Sequence, residues 1–577
     1  MKVFKNLSRR DCLFILLMVF TIVFDVHFEL KMPEYTSALA TMVQAGIADM
    51  ASVTENGLKM LGCAAASTFS SILTFVFVSL VANNFEKNLR AKVFRKVVAY
   101  SDNEVNRFSV ASLITRTTND VTQTNMFLGM GLQLLVKAPL MAGLAIVKIS
   151  NADLKWTFAT IICVLVIVLT VVTTALICIP RFTLIQKLTD RLNNVSRENI
   201  SGVRVIRAFN AQDYQKDKFE KTNSDIYRNH IFTGRVTGAI APVMTIGMNG
   251  LTLAIYWIGA LIINGFTGSE ALMNRAATIG NMTAFTSYAI QVIMSFMLLS
   301  VSFLLLPRVI VSIRRINEVL DTEITLTDGE GRKSRGTGRL EFKDVDFSYG
   351  GEEHDVLSDI TFKAEKGEAV AIIGATGSGK TSLVNLIPRF YDAGKGTVLV
   401  DGIDVRDYRL EELRDKVSFA FQKAALFKGT VRDNITYGAE VIDEERIRKA
   451  LDIAQADFIS DLDFEITQGA TNLSGGQKQR LSIARALYKN SEIIIFDDTF
   501  SALDYKTDML VRKGIRENFK DTTIIIIAQR IGTIKNADRI LVLDEGRIVG
   551  MGRHEELLKT CAVYKEIALS QLSKEEL

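Results

Sequence analysis

The sequence predicts two parts of different character, a membrane α-helical bundle of six spans followed by an α/β domain. Six long apolar stretches fall within the first 320 of 577 residues. Short β-branched segments then alternate with helical ones after residue 338, and a glycine-rich loop stands at 374–381 between a strand and a helix. Because a chain of this length rarely forms one domain, these patterns indicate two domains joined by a linker.

Composition excludes several function classes. The mean hydropathy of +0.21 is too apolar for a wholly soluble chain. The formal net charge of +4 is small for this length, so no nucleic-acid partner is expected. The five cysteines form no CxxC pair and have no nearby histidine, so neither a disulfide framework nor a cysteine metal site is expected.

Each apolar stretch approaches or exceeds the roughly 20 residues that a helix needs to cross a bilayer. The predicted spans are 12–30, 58–82, 126–148, 156–180, 236–264 and 279–306. The first follows a basic N-terminus with Lys2, Lys5, Arg9 and Arg10, but no small-residue cleavage site follows it. It is therefore predicted to be an uncleaved span and not a signal peptide.

Lysine and arginine collect in two of the connections between spans. The connection 83–123 carries seven of them and 181–235 carries eleven, whereas 32–57 carries none. By the positive-inside rule the two basic connections are cytoplasmic, and so are both termini and the C-terminal domain. Their helical periodicity, with Val203 and Ile206 on one stripe, predicts that the spans continue as long cytoplasmic helical extensions.

A hydrophilic stretch at 321–338 is the predicted linker between a membrane domain at 1–320 and a C-terminal domain at 339–577. Near-continuous β-branched runs in the second domain predict strands of a buried, largely parallel sheet. These strand candidates are Ala369–Ile373, Thr397–Val400, Ile493–Phe496, Thr523–Ile527 and Ile540–Leu543.

The glycine-rich loop has the strand, loop and helix context of a phosphate-binding loop, so ATP and Mg²⁺ are the predicted cofactors. Its backbone N–H groups would hold phosphates, Lys380 would reach the β- and γ-phosphates, and the Thr381 hydroxyl would ligate Mg²⁺. Asp497 ends a strand candidate and is predicted to hold the same metal. The candidate loop residues are Gly374, Ala375, Thr376, Gly377, Ser378, Gly379, Lys380, Thr381 and Ser382.

A second motif, Leu-Ser-Gly-Gly-Gln at 473–477, opens another helix. A helix start with small residues can bind an anion. With this motif the chain resembles the ATP-binding-cassette (ABC) transporter superfamily. The resemblance covers nearly all residues, because the first 320 are similar to the membrane half of a multidrug-resistance-like exporter half-transporter.

The resemblance implies further site residues and an α-helical subdomain in the ATPase domain. Gln422 resembles the family's Q-loop glutamine and is a catalytic and metal-site candidate, and Tyr349 resembles the aromatic residue that stacks on adenine. Asp504 resembles the D-loop aspartate at the dimer seam. The signature residues that would cap the γ-phosphate held by the opposite subunit are Ser474, Gly475, Gly476 and Gln477.

Two cytoplasmic segments resemble those by which ABC exporters press coupling helices onto the ATPase domains. They are Ser112–Val121 and Glu198–Phe209. Their order between the predicted spans supports the exporter type.

Two catalytic candidates depart from the family pattern. Asp498 stands where hydrolytic subunits have a glutamate that polarises the attacking water, and Gln529 stands where they have a histidine. The Glu-x-Gly before the signature is also altered, to Gln468-Gly-Ala470. The aspartate is one methylene shorter, and glutamine cannot become cationic, so the site is expected to bind ATP and hydrolyse it poorly.

The sequence is thus interpreted as the degenerate-site half of a heterodimeric ABC exporter in the cytoplasmic membrane, with an unlike half-transporter as partner. Two alternatives stay open, a homodimeric exporter with slow hydrolysis through Asp498 and an ATP-gated regulatory or channel-like subunit. The substrate, a small molecule, drug, lipid or peptide, cannot be read. Polar or charged residues within or beside the spans that could line a path or pair are Asp25, His27, Glu29, Lys31, Thr245, Asn249, Asn281, Tyr288 and Gln291.

Overall fold

The computed structural model describes residues 8–150, 154–267, 271–332, 334, 336–350 and 354–571. Lys2 and Lys5 of the predicted basic N-terminus lie outside the described residues. By its internal contacts the chain divides into two compact units. The first comprises Met1–Val98 and Ala111–Thr322, and the second comprises Ala99–Val110 and Glu323–Leu577.

Long helices build the first unit. Six helical stretches among the described residues are long and apolar enough to cross a membrane, which confirms the predicted six spans. The helices up to the end of this unit, of which α3 belongs to the second unit, are α1 (Arg9–Gln44), α2 (Met50–Val98), α3 (Asp102–Phe108), α4 (Val110–Thr117), α5 (Asn119–Met126), α6 (Leu132–Ser150), α7 (Leu154–Ser201), α8 (Val203–Ala208), α9 (Gln212–Gly238), α10 (Ile240–Asn264) and α11 (Ala271–Asp321).

Helix α1 packs against α2 and α11 in this unit. Its Met18, Ile22 and Val26, one turn apart, are at most 1% exposed, so they form one buried stripe. Leu16 and Phe20 on other faces are more than 60% exposed, as suits side chains that contact lipid. The composition of these helices therefore matches a bundle that buries one side of each helix against its neighbours.

The helices extend well beyond the apolar stretches, as the sequence predicts. Helix α2 continues to Val98, α7 continues to Ser201, and α9 begins at Gln212 before the fifth span. Both basic connections are thus largely helical, and the short helices α4, α5 and α8 complete them.

The second unit contains two main sheets. Its strands are β1 (Leu340–Phe347), β2 (Leu357–Ala364), β3 (Ala369–Gly374), β4 (Lys395–Val400), β5 (Ile403–Asp404), β6 (Val417–Ala420), β7 (Gly429–Thr430), β8 (Glu465–Ile466), β9 (Ile493–Asp497), β10 (Thr523–Ile527), β11 (Arg539–Asp544) and β12 (Arg547–Gly552). The larger sheet has the order β12-β11-β3-β10-β9-β6 and is parallel except for β12. Four of the five predicted strands lie in it.

The fifth predicted strand, Thr397–Val400, lies elsewhere. It is part of β4, which pairs antiparallel with β1 in the four-stranded sheet β2-β1-β4-β5. The prediction of a parallel neighbour was therefore wrong for this strand. A β-branched run indicates burial on both faces, and Val398 and Val400 are indeed buried, but burial does not determine which sheet a strand joins.

An α-helical subdomain accompanies the sheets and confirms the predicted fold class. Its α14, α15 and α16 pack with the back of the parallel sheet through one apolar cluster that includes Ile447, Leu481 and Phe496. The helices of the second unit after α3 are α12 (Lys380–Asn385), α13 (Leu410–Lys416), α14 (Val431–Ile435), α15 (Glu444–Ile453), α16 (Gly475–Lys489), α17 (Tyr505–Asn518), α18 (Ile531–Ile534), α19 (His554–Thr560) and α20 (Ala562–Gln571).

Helix α3, which the sequence reading missed, belongs to the ATPase-type unit. Its buried Glu104 accepts hydrogen bonds from the hydroxyls of Ser101 (2.6 Å) and Thr325 (2.8 Å) and from both of their backbone N–H groups. These bonds outweigh the cost of burial and hold the pKa of Glu104 below its usual value. Residues 99–110 are thus fixed to the start of the linker, whereas Ser112–Val121 and Glu198–Phe209 lie in the first unit.

Candidate nucleotide site

The loop at 374–381 joins β3 to α12 in a shape that requires glycine. Gly377 and Gly379 have φ angles of +86° and +94°, which L side chains rarely adopt. A Cβ on Gly374 would lie 2.0 Å from the carbonyl oxygen of Leu543, so no larger residue fits there. The backbone therefore wraps closely around the start of α12, as a phosphate-binding loop must.

Lys380 lies inside this loop. Its Nζ donates to the carbonyl oxygens of Gly374 (2.9 Å) and Ala375 (2.6 Å), and the residue is 8% exposed. Burial lowers the pKa of the ammonium group, although the charges of Asp498 and Asp497 act against this effect. The side chain is thus a buried cation that faces two carboxylates across the loop.

Thr381 and Asp497 meet at the end of β9. The Thr381 hydroxyl donates to Asp497 Oδ1 at 3.1 Å. Burial, together with the charge of Asp498, raises the pKa of Asp497 to about 6, while the Thr381 bond and Lys380 act against the rise. A buried carboxylate beside a hydroxyl favours a hard cation, because the cation would supply the charge that the site lacks.

Asp498 is held by two glutamine side chains. Gln529 Nε2 donates to Asp498 Oδ2 at 2.8 Å, and Gln422 Nε2 donates to the same oxygen at 3.2 Å. The aspartate is 7% exposed and has a φ of +48°, and its backbone N–H donates to Ile527 O at 3.0 Å. The three catalytic candidates therefore converge on one carboxylate oxygen, and that oxygen already has two donors.

Tyr349 lies at the edge of the same site. Its hydroxyl is 2.9 Å from Ser382 Oγ, and its ring makes an edge contact with Tyr391 at 5.2 Å. It is partly buried against the core of the antiparallel sheet. One ring face can still receive a planar base, since an edge contact leaves the faces of the ring available.

A cavity of about 340 Å³ connects these groups. It brings together most of the predicted loop residues with all three catalytic candidates and Tyr349. The sequence reading missed two apolar lining residues, Val356 and Ile527, which no motif marks. The lining residues are Tyr349, Val356, Thr376, Gly377, Gly379, Lys380, Thr381, Ser382, Gln422, Asp497, Asp498, Ile527 and Gln529.

The signature residues and Asp504 do not line this cavity. Ser474 is the N-cap of α16, where its Oγ accepts from Gln477 N (3.3 Å) while Gln477 Oε1 accepts from Ser474 N (2.8 Å). Gly475 and Gly476 form the first turn of this helix. Asp504 caps α17 by accepting from Thr507 N at 3.0 Å, a bond that lowers its pKa. Both caps are exposed and therefore accessible to another chain.

Gln571, at the end of α20, was also missed. Its Oε1 accepts from Ile531 N (2.8 Å) and its Nε2 donates to Gln529 O (2.8 Å), so it fixes the backbone on both sides of Arg530. A polar residue at a helix end far along the chain gives no sequence signal for such a role.

The residues present fit ATP with Mg²⁺. The loop offers a buried lysine and glycine turns to phosphates, and Thr381 with Asp497 offers oxygen ligands to the metal. The described residues contain no group of three His, Cys, Asp or Glu side chains that could hold a metal by themselves. A Mg²⁺ ion here would thus depend on phosphate oxygens, as is usual for this ion.

The fold and the site together define a multi-pass membrane protein with a P-loop nucleotide-binding domain. The chain belongs to the ABC transporter family: the family profile "ABC transporter" matches residues 357–501, and "ABC transporter transmembrane region" matches residues 12–296. An uncharacterized ABC transporter ATP-binding protein of Mycobacterium tuberculosis is 36% identical over 543 residues, which cover 92% of each chain.

Other similar proteins support the same family. A Bacillus subtilis ABC transporter ATP-binding protein is 31% identical over 93% of each chain. The ATP-dependent lipid A-core flippase of Desulfotalea psychrophila is 37% identical over 66% of each chain. A solved bacterial Atm1-family ABC exporter with ATP bound has a TM-score of 0.79, covers 98% of this chain and 100% of its own, and is 22% identical, so it shows an exporter fold.

Proposed function

We propose that this chain is the degenerate-site half of a heterodimeric ABC exporter, in which an unlike, catalytically competent half hydrolyses most of the ATP. The observation that carries the proposal is the contact of Asp498 with Gln529 and Gln422. One carboxylate oxygen receives both amide donors, at 2.8 Å and 3.2 Å. A general base must direct a free carboxylate oxygen at water, and these bonds lower the basicity of the oxygen that receives them.

The side-chain length acts in the same direction. An aspartate carboxylate is one methylene nearer to the backbone than that of glutamate, a retreat of more than about 1 Å, and such a misplacement can cost on the order of 100-fold in rate. Gln529 donates a hydrogen bond but cannot take a proton as an imidazole does. The two substitutions thus weaken both groups next to the position of the γ-phosphate.

The groups that this chain would offer to an opposite nucleotide are intact. The Ser474 cap and the small residues Gly475 and Gly476 leave the start of α16 exposed, with its N–H groups available to an anion. A chain that keeps these groups while its own base is weakened fits a heterodimer better than a homodimer, because in a homodimer both sites would be weakened equally.

The remaining roles follow from the site. Lys380 would bind the β- and γ-phosphates, Thr381, Asp497 and Gln422 would hold Mg²⁺, and Tyr349 would stack on adenine. We assign the membrane domain to 1–320, the linker to 321–338 and the ATPase domain to 339–577, with the ATPase domain and both termini in the cytoplasm. The basic connections between the spans support this orientation.

Two relatives suggest the kind of cargo. The proteins of Desulfotalea psychrophila and Saccharophagus degradans are named ATP-dependent lipid A-core flippases and are 37% and 35% identical to this chain. We therefore propose an amphipathic small molecule or lipid as the exported substrate in the membrane.

The test compares Asp498→Asn with the matching substitution in the copurified partner. We expect Asp498→Asn to leave ATP turnover of the pair within about twofold, whereas the loss of the partner's glutamate removes on the order of 100-fold or more. An equal loss in both variants would show that this chain hydrolyses ATP itself and would support the homodimeric or symmetric alternative.

Transport in inverted membrane vesicles separates a pump from an ATP-gated channel. A pump accumulates substrate against its gradient when ATP is present, and a channel only dissipates the gradient. ATP-dependent accumulation is the expected result. Equilibration without accumulation would contradict export and support the channel-like alternative.

A further inference from the structure

The first unit contains a cluster of charges inside its candidate spans. Asp25 and Glu29 lie one turn apart on α1, and Lys137 lies on α6. Lys137 Nζ is 2.8 Å from Asp25 Oδ2 and 3.1 Å from Glu29 Oε2. Charged side chains within spans are costly to maintain, so such a cluster calls for a functional explanation.

Asp25 is fully satisfied by its neighbours. Its Oδ1 accepts from the Ser67 hydroxyl at 2.6 Å, and its Oδ2 accepts from the Ser71 hydroxyl at 3.0 Å and from Lys137. The side chain is 3% exposed. The pair of Asp25 and Lys137 therefore suffices to join α1, α2 and α6, and Glu29 is not needed for this purpose.

Glu29 adds a second negative charge that the cluster does not balance. With two carboxylates and one ammonium group, the cluster has one excess negative charge. Glu29 is 35% exposed on its side chain, and its Oε2 accepts no hydrogen bond of good geometry from the described residues. Gln291 of α11, whose Nε2 contacts the Glu29 carbonyl oxygen at 3.5 Å, also has a buried Oε1 that no described residue donates to.

We propose that Glu29 and Gln291 form a subsite for the ammonium or guanidinium group of an amphipathic cation. This inference rests on the proposed export function and narrows its substrate class. The excess negative charge favours a cation, and the two acceptor oxygens favour a cation with N–H donors. An anionic amphiphile would meet a like charge at Glu29, so a phosphate headgroup does not fit here.

The direct test is equilibrium binding to the full chain with its copurified partner in lipid nanodiscs without ATP, after subtraction of binding to empty nanodiscs. The probe is radiolabelled dodecylguanidinium. We expect Glu29→Gln to weaken its binding on the order of tenfold or more, because a charge-assisted hydrogen bond is lost. The matched control is Glu34→Gln on the same helix, where the exposed Glu34 pairs with Lys148, and this variant should bind as the wild type does.

Two probes of the same chain length test the chemistry. Dodecyl phosphate should not compete with the labelled probe, and dodecyltrimethylammonium, which has no N–H donor, should compete at least tenfold more weakly than unlabelled dodecylguanidinium. Wild-type affinity in Glu29→Gln, or equal competition by the trimethylammonium compound, would overturn the proposal.

Thermal unfolding separates a binding role from a structural one. Glu29→Gln should keep or raise the Tm, because the ion pair of Asp25 and Lys137 remains and the excess charge is removed. A large fall in Tm would mean that Glu29 supports the fold and would overturn the proposal. Since binding is measured without ATP, failure of binding alongside ATP-driven accumulation would refute only this inference, whereas retained binding without accumulation would refute only the export function.

Discussion

Replacing Lys380 by alanine tests the nucleotide site most directly. In the structure Lys380 Nζ donates to two loop carbonyl oxygens, at 2.9 Å and 2.6 Å. Phosphate binding would exchange these bonds for two charge-assisted ones, each worth about 1.5–3 kcal/mol against about 1 kcal/mol for a neutral bond. The net loss in Lys380→Ala is therefore about 2–3 kcal/mol, or a roughly 30- to 150-fold weaker affinity for ATP.

The substitution has a second effect through Asp497. Lys380 acts to lower the pKa of this carboxyl, which burial and the charge of Asp498 raise to about 6. Without the ammonium group the pKa rises further, so more of Asp497 is protonated near neutral pH and less is available to Mg²⁺. The loss of affinity should therefore be larger with Mg²⁺ at pH 6.5 than at pH 8.

The assay is a titration of photoactivated, labelled azido-ATP on the copurified pair of chains. In Lys380→Ala the half-saturating concentration for labelling this chain should rise by the stated factor, while labelling of the partner stays nearly unchanged. Lys366→Ala serves as the control, because Lys366 is 54% exposed and lies 3.5 Å from Asp521 at the surface. A shift of less than threefold for this chain would refute the assignment of Lys380.

Three further predictions concern other parts of the ATPase unit. Ser474→Arg should abolish most ATP turnover of the pair, since it places bulk and charge at an exposed helix start; a wild-type rate would contradict a face-to-face dimer. The pKa of Asp401 is held at about 2, so its stabilising effect is present above about pH 4 and lost as pH falls towards 2. Asp401→Asn should therefore lower the free energy of unfolding at pH 7 by roughly 2 kcal/mol and flatten its pH dependence between 4 and 2, as acid and thermal melts would show. Gln571→Ala should speed hydrogen exchange at the Ile531 amide by about tenfold, and unchanged exchange would contradict its positioning role.

Local patterns sufficed to predict much of the fold and the central residues of the candidate site. The runs Ile493–Phe496 and Thr523–Ile527 are strands of the parallel sheet, because strands buried on both faces need continuous apolar sequence. The candidate loop residues and Asp497 lie together, since a phosphate loop and the end of a neighbouring parallel strand meet at the same edge of a sheet.

The features that the sequence did not predict depend on contacts between distant residues. Asp25 was expected to pair with charged neighbours on its own helix, but its partner is Lys137, on another helix. Helix α3 is short and polar, and its position depends on the contact of Glu104 with Thr325, far along the chain. No periodicity or spacing reports such contacts, because each partner has an ordinary local sequence.

The contacts of Asp498 bear on why a degenerate site would remain in a transporter. Gln422 and Gln529 come from separate loops, after β6 and β10, and both donate to this one carboxylate. A group that unites two loops can still report whether nucleotide is bound, since phosphate near Asp498 would repel the carboxylate and weaken both bonds. Hydrolysis is not required for this response. Such a site can therefore couple ATP occupancy to loop position while the partner's site supplies the chemical step, and Asp498→Asn should loosen both glutamines without reducing turnover.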